Sequence, residues 1–310
     1  MSIVAPLRIL FIVLAFLIGI GLIAGAALSV SDLLEVMNRV VDQPAAVQQP
    51  DGTTIITNPL GLDGPPSVSF SSYGYTPFIA AILLVSALAA LKRRWDMLSL
   101  MCWFLAGGIV PEALYSVWSV WNVGWDGLIS AFIPNAIGAA WVCFPILGLW
   151  LATAARSRGE IRPGEAPSAS SQDRIRLRNT LVGLAVLSYL LRVVTITLTP
   201  GAISALAYFR GTSDANLMLG SALGLGAALV LLFGLLRSRR DNDRFLTPVL
   251  AFTAGLAFEG FLVALDLTSG LGARLELVYA LQDAVAFVAC CAALALSARS
   301  DPVSSRFTVA

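Results

Sequence analysis

"AGGIVPEALY", residues 106–115, places a proline and a carboxylate inside a run of apolar residues. "TAGLAFEGFL", residues 253–262, has the same character. In both stretches a glycine precedes a glutamate by four positions, giving Gly108 with Glu112 and Gly255 with Glu259. Ionisable groups in apolar segments are costly, and they pair with other groups or contact water. The two stretches therefore predict a bundle of apolar helices with a polar interior at these positions.

The composition indicates an integral membrane protein. Of the 310 residues, 57% are hydrophobic and only 13% are charged, and the mean hydropathy is +0.82. A soluble domain has about 25% charged residues, so most of this surface is not suited to water. The formal net charge of +1 gives no reason to expect a nucleic-acid partner. The expected partner is the lipid bilayer.

A helix needs about 20 apolar residues to cross a bilayer, and eight segments qualify as candidate spans. They are 7–29, 76–91, 97–118, 128–154, 179–199, 216–236, 246–267 and 275–298. In the first, "AGAA" at 24–27 resembles the cleavage site of a signal peptide. Its apolar core is longer than the usual 7–15 residues, roughly, of a signal peptide, so we expect a retained anchor.

The basic residues predict the orientation of these spans. If the N-terminus is cytoplasmic, sixteen of the 20 Lys and Arg residues fall on cytoplasmic segments. Such a bias is the rule for membrane proteins. Both termini are then cytoplasmic, and the predicted location is the plasma or inner membrane. Interfacial tryptophans agree, because Trp118, Trp121 and Trp125 fall where spans three and four meet the outer surface.

The chain divides into two halves around a polar segment, 156–178, which is rich in Pro, Gly and Ser. We predict an all-α fold of two parallel four-helix bundles, at 1–155 and 179–298, with this segment as a cytoplasmic linker and 299–310 as a cytoplasmic tail. A shift of 147 residues matches Glu112 with Glu259, Asn135 with Gln282 and Cys143 with Cys290. The halves are therefore interpreted as a tandem repeat, related by an axis along the membrane normal.

The first outer loop, 30–75, is the largest predicted feature outside the bilayer. Within it, 31–41 has apolar residues at helical spacing and predicts a short amphipathic helix on the membrane surface. The segments 53–57 and 67–73 have β character and predict a small hairpin. A disordered tether is the alternative. The loop is also the expected docking surface for a membrane partner protein.

Six polar residues fall in the outer half of the predicted membrane, as judged from a rise of about 1.5 Å per residue. They form the candidate site: Glu112, Glu259, Arg192, Asp283, Gln282 and Asn135. One cation cannot neutralise three carboxylates. Because desolvation penalises the charged form of a carboxylate, Glu112 or Glu259 is a candidate proton carrier. The structural alternative is a neutral glutamic acid that ties neighbouring helices together by hydrogen bonds, with Arg192 as a counter-ion.

Catalytic and cofactor signatures are missing from the sequence. There is no histidine, which removes the commonest general base and metal ligand. No Walker A, G-x-S-x-G or H-E-x-x-H motif occurs. The four cysteines, Cys102, Cys143, Cys290 and Cys291, form no C-x-x-C pair and are interpreted as small buried apolar residues. We therefore expect no cofactor and no metal, and catalysis is not the preferred activity.

Three functions remain. The first is a carrier that moves a small solute or protons through a site in the outer half of the bilayer, with carboxylates between the two bundles. The second is a non-catalytic accessory or scaffold subunit of a membrane complex. The third is a membrane enzyme that acts on a lipid or isoprenoid substrate with an acidic residue as acid or base.

The orientation gives a first testable prediction. A green fluorescent protein fused after Ala310 should fluoresce, because that end is predicted to be cytoplasmic, where this reporter folds. An alkaline phosphatase inserted between 42 and 66 should be active, because that loop is predicted to be external. The same two reporters inserted between 159 and 171 are the control and should behave as they do at Ala310. An active phosphatase at Ala310 would reverse the predicted orientation.

Overall fold

The computed structural model describes residues 4–41, 47–48, 54–55, 70–109, 143–158, 172–198, 212–238, 245–268 and 274–298. Eight helices occupy these ranges: α1 Val4–Val41, α2 Phe70–Leu91, α3 Trp95–Ile109, α4 143–157, α5 Gln172–Leu198, α6 Thr212–Ser238, α7 Leu246–Thr268 and α8 Arg274–Ala298. Three contain a segment long and apolar enough to cross a membrane: Val4–Leu28, Asp173–Thr195 and Val278–Ser297. The prediction of a helical chain with membrane-type segments is confirmed to this extent.

Large apolar side chains cover the outside of these helices. On α1, Leu17 and Leu28 expose 64% and 67% of their surface, and on α8 Val288 exposes 63%. In water, an apolar surface of this extent would be an aggregation or binding site. The same surface suits lipid, where no apolar side chain needs to be hidden.

The first outer loop differs from its prediction in two places. Residues 31–41 are helical, but they continue α1 without a break, so no separate surface helix forms. The predicted strand at 67–73 is wrong from Phe70 onward, because α2 begins there. A short antiparallel pairing does exist, between β1 (Val47–Gln48) and β2 (Thr54–Ile55). Thr54 and Ile55 therefore pair with a segment that precedes them, and residues 70–73 of the expected partner segment belong to helix α2.

A tight turn joins α2 to α3. Arg93 has a φ of 54°, in the left-handed region that favours glycine. Its backbone N–H donates to the carbonyl of Ala90, and that of Arg94 donates to Ala89 at 2.8 Å. These two bonds form a Schellman motif, which satisfies the last carbonyls of a helix. The turn needs only residues 92–94, so α2 and α3 lie side by side and antiparallel.

The first four helices share one buried apolar cluster. It includes Phe11 from α1, Leu83 from α2, Leu98 from α3 and Leu151 from α4. Phe11 stacks on Phe144 with ring centroids 4.5 Å apart. Glycine at position 148 makes this packing possible, because α4 approaches α1 and α3 closely at that point.

The last four helices share a second buried cluster, with members such as Val186, Leu231, Leu250 and Ala289. Each helix contacts two neighbours: α5 lies against α6 and α8, and α7 lies against α6 and α8. The four helices therefore form a closed ring around one interior. Polar groups inside that ring are enclosed by the four helices.

The two clusters meet where α3 crosses α7. Here Gly107 faces the backbone of Phe252 and Leu256, and Gly255 faces the backbone of Phe104 and Gly108. Exchanging α3 with α7 pairs Gly107 with Gly255 and Phe104 with Phe252, a shift of 148 residues. The contacts at this crossing therefore relate the two halves by a shift of 148 residues, whereas the sequence comparison that matched the two glutamates used a shift of 147.

Several predicted features lie outside the described residues: the tryptophans of 118–125, the linker between 159 and 171, and the tail 299–310. The described part of the predicted linker is helical from Gln172, where α5 begins. Among the cysteines, Cys102 and Cys290 are buried, Cys291 is intermediate and Cys143 is exposed. The expectation that all four are buried is wrong for Cys143, which lies at the first described position of α4, on its outer face.

Gly148 gives a test of the first cluster. A methyl group at this position would lie 2.3 Å from Cys102 Sγ and 3.1 Å from the Phe11 ring. Gly148→Ala should therefore lower the free energy of unfolding by about 1–3 kcal/mol, the usual cost of overpacking. The control is Gly183→Ala, since no atom lies within 4 Å of a methyl group there. Thermal unfolding in detergent measures both variants, and equal stability of the two would contradict the described packing.

Candidate functional site

A buried ion pair joins α5 to α8. Arg192 Nη1 donates hydrogen bonds to both carboxylate oxygens of Asp283. The Asp283 side chain is only 1% exposed and that of Arg192 is 16% exposed. Both residues face the interior of the α5–α8 ring, so each charge is neutralised by the other away from lipid. The sequence had placed both in one layer, and the structure brings them into contact.

Further hydrogen bonds fix the register of α5 against α8 around the pair. Ser188 Oγ donates to the backbone carbonyl of Gln282 at 2.6 Å. The side-chain amide of Gln282 donates to Thr195 Oγ1 at 3.1 Å. Ser188, Arg192 and Thr195 are spaced i, i+4 and i+7, so they share one face of α5. That face meets Gln282 and Asp283, which are consecutive on α8.

A glycine on α7 packs directly against the ion pair. A methyl group at Gly260 would lie 2.6 Å from Asp283 Oδ2 and 2.9 Å from Arg192 Nη1. Any larger residue at position 260 would therefore displace one of the two charged groups. On the opposite side, Gly224 of α6 lies in ordinary contact range of Tyr189 and Arg192. The charged groups are thus enclosed by α5, α6, α7 and α8.

Two buried polar atoms beside the pair have no hydrogen-bond partner among the described residues. One is Arg192 Nε, a donor, and the other is Gln282 Oε1, an acceptor. Leaving a buried polar group unpaired costs about 1–3 kcal/mol. In folded proteins, nearly all buried polar groups have at least one hydrogen-bond partner. A neutral polar molecule that accepts a hydrogen bond from Arg192 and donates one to Gln282 would match both atoms.

A second polar contact, one helical turn before Arg192, crosses the interior of the four helices α5–α8. Tyr189 Oη donates to the backbone carbonyl of Thr253 on α7 at 2.9 Å. Thr253 Oγ1 lies 3.5 Å from Cys290 Sγ on α8 and donates to Val249 within its own helix at 2.8 Å. Tyr189 precedes Arg192 by three residues and points into the same interior. It thereby links α5 to α7 across the ring.

Glu259 occupies a different face of α7 from Gly260. It follows Gly255 by four residues and Phe252 by seven, so it shares their face, and that face is the one that meets α3. It is of intermediate burial. The carboxylate therefore belongs to the boundary between the two halves, whereas the ion pair lies inside the second half. Glu112 and Asn135 lie outside the described residues.

The structure thus brings together three of the six predicted residues, Arg192, Asp283 and Gln282. Sequence reasoning missed Ser188, Tyr189 and Thr195, which accompany Arg192 on α5, and Thr253 and Gly260 on α7. The spacing of Ser188, Arg192 and Thr195 was the available signal, because three polar residues at i, i+4 and i+7 form one polar stripe. Nothing in the sequence marks Gly260 as a neighbour of Asp283.

The chemistry open to this site is that of a neutral hydrogen-bonding cluster. Among the described residues, no group of three His, Cys, Asp or Glu side chains is placed to hold a metal ion. Charge compensation between Arg192 and Asp283 means that an additional charged ligand would have no counter-ion in the pair. The groups left unpaired in this arrangement therefore suit a neutral ligand better than a charged one.

Comparison with the known protein families, with curated protein sequences and with solved structures finds no match to this chain.

The stability of the ion pair can be tested against an exposed pair in the same chain. Asp283→Asn should lower the free energy of unfolding by about 3–5 kcal/mol, because it leaves the Arg192 charge buried and uncompensated. The matched control is Asp96→Asn. It breaks the Arg156–Asp96 pair, which has an N–O distance of 3.7 Å and side chains 65% and 76% exposed, and should cost about 0–1 kcal/mol.

Thermal unfolding in detergent reports both changes. The double variant Arg192→Met with Asp283→Leu should be more stable than Asp283→Asn, since it removes both charges together. Equal effects of Asp283→Asn and Asp96→Asn would show that the two aspartates have similar surroundings.

Proposed function

We propose that this protein is a multi-pass carrier of the plasma or inner membrane that moves protons or a small neutral polar solute. Its eight helices cross the bilayer as two parallel four-helix groups with both termini in the cytoplasm. The cargo binds in the second group, at the ion pair of Arg192 and Asp283. The positive-inside distribution of basic residues supports this topology, as do the two separate buried clusters.

The observation that carries the proposal is the unmatched donor and acceptor beside a buried ion pair. A purely structural tie between α5 and α8 would be complete with the bonds from Arg192 to Asp283 and from Gln282 to Thr195. Arg192 Nε and Gln282 Oε1 are left over. Ionisable residues inside membrane helices pair with one another and mark substrate pathways and proton relays.

The proposal differs from the sequence-based hypothesis in the place of the site. Carboxylates at the boundary between the bundles were expected to hold the cargo. The charged pair that the structure describes lies inside the second group, and Glu259 alone of the described candidates faces the first. Cargo would therefore pass through the interior of the α5–α8 ring, with Glu259 as a proton acceptor at the neighbouring boundary.

Reconstituted vesicles provide the test. Liposomes loaded with the dye pyranine and clamped with valinomycin and K⁺ measure proton entry after an acid pulse. Light scattering after mixing with urea or glycerol measures neutral solute entry. The wild-type protein should accelerate one of these processes over empty liposomes. Gln282→Leu should reduce that rate by about tenfold, the equivalent of one lost hydrogen bond of about 1.4 kcal/mol.

The Arg192→Met, Asp283→Leu double variant should abolish the flux while remaining folded. Asp96→Asn, which alters only the exposed pair, is the control and should retain the wild-type rate. If wild-type vesicles are no faster than empty ones in either assay, or if the double variant transports normally, the carrier proposal is wrong.

An accessory role in a membrane complex is the second candidate, and one observation favours it. Gly260 fits so closely against Asp283 and Arg192 that the pair could serve only to lock α5, α7 and α8 together. Purification in a mild detergent separates the two proposals. Stoichiometric partner proteins together with inactive vesicles would support the accessory subunit, and an isolated protein with measurable flux would support the carrier.

A further inference from the structure

The crossing of α3 and α7 is made by backbone atoms. A methyl group at Gly107 would lie 1.9 Å from the carbonyl oxygen of Phe252, and one at Gly255 would lie 2.0 Å from that of Phe104. Ordinary van der Waals contact of such a methyl group begins at about 3.4 Å. Each helix would have to retreat by more than 1 Å, roughly, to admit a single alanine. The contact therefore depends on glycine at both positions.

The two surfaces at the crossing are alike. α3 presents Phe104-Leu-Ala-Gly107 and α7 presents Phe252-Thr-Ala-Gly255. Gly107 meets the backbone at 252 and 256, and Gly255 meets it at 104 and 108. Adding or subtracting 148 converts one set of contacts into the other. The crossing thus has a local two-fold relation, as in an interface between two copies of one surface.

Phenylalanine side chains extend the contact on either side of the boundary. Phe78 of α2 packs against Phe258 of α7 with centroids 4.0 Å apart and the rings tilted by 32°. Phe104 of α3 lies 6.4 Å from Phe287 of α8. Phe104 also packs against both buried clusters. The boundary therefore combines a close backbone approach with interlocking aromatic rings, and it is apolar except at its edge, where Glu259 lies.

We infer that this crossing is a docking surface through which the two halves of the chain recognise each other, independently of the covalent link between them. In lipid, small residues drive association of helices because they allow close backbone packing. The partner that each surface fits is a helix with a phenylalanine followed by a glycine three residues later. Within this chain that partner is the other half, so the protein is an intramolecular pair.

Site-specific cleavage of the full chain tests this inference, and the result does not depend on any transport activity. A protease recognition sequence is inserted between residues 159 and 171. The intact protein is purified in mild detergent, cleaved, and passed over a size-exclusion column. The two fragments of the wild type should elute together. Separation of the wild-type fragments after cleavage would overturn the inference, because the link alone would then hold the halves together.

Glycine-to-alanine substitutions, which add one methyl group each, test whether the α3–α7 crossing is the recognition surface. The double variant Gly107→Ala, Gly255→Ala should release at least tenfold more free fragment than the wild type. The matched control is Gly183→Ala, Gly226→Ala, which adds two methyl groups where no atom lies within 4 Å, and it should behave as the wild type. Equal release from both double variants would show that the crossing is not the recognition surface.

A folding defect in the glycine variant would look different from lost docking. Before cleavage, the variant should elute at the wild-type volume. The Arg192–Asp283 pair joins α5 to α8 rather than α3 to α7, so the second half should keep its own thermal transition. Phe258→Leu offers a milder change at the same boundary, because it removes an aromatic ring without adding volume. It should release an intermediate amount of free fragment, and no release from either variant would again contradict the inference.

Discussion

An apolar interior offers no hydrogen bonds to a polar group, and this constraint governs the polar side chains inside the α5–α8 ring. The backbone satisfies itself by forming helices. The side chains that cannot do so are placed inside the α5–α8 ring, where Arg192 meets Asp283 and Ser188 bonds to the backbone of Gln282. An uncompensated charge in this interior would cost several kcal/mol, roughly. The ion pair therefore allows both charged side chains to lie between α5 and α8.

The contacts within the second half differ in chemistry from the contacts between the two halves. Within the second half, polar side chains connect α5, α7 and α8 across an otherwise apolar interior. Between the halves, glycine backbones and phenylalanine rings make the contact, and they carry no charge. The first kind fixes which residues face one another. The second permits close approach without any requirement for matched polar groups, which suits a boundary at which two preformed helical groups meet.

Helix positions could be predicted from the sequence because long runs of apolar residues mark them, as in Val4–Leu28 and Val278–Ser297. The sequence also predicted that Arg192 and Asp283 lie near each other, since both residues fall at a similar depth in their predicted spans. The role of Gly260 could not be predicted. It depends on the close approach of α7 to α8, and no pattern in the sequence around Gly260 indicates that approach. The hairpin at 53–57 was paired with the wrong segment because β character at 67–73 was outweighed by the helical start of α2 at Phe70.

Arg93 shows that the residue at a tight turn is not always the one that the backbone conformation favours. A non-glycine residue in its left-handed conformation costs about 1 kcal/mol, so glycine would be the more stable choice for the turn between α2 and α3. Arginine at that position adds a third consecutive positive charge to a three-residue connection. Lys92, Arg93 and Arg94 are all exposed, and three adjacent charges keep the tip of the α2–α3 hairpin in contact with water.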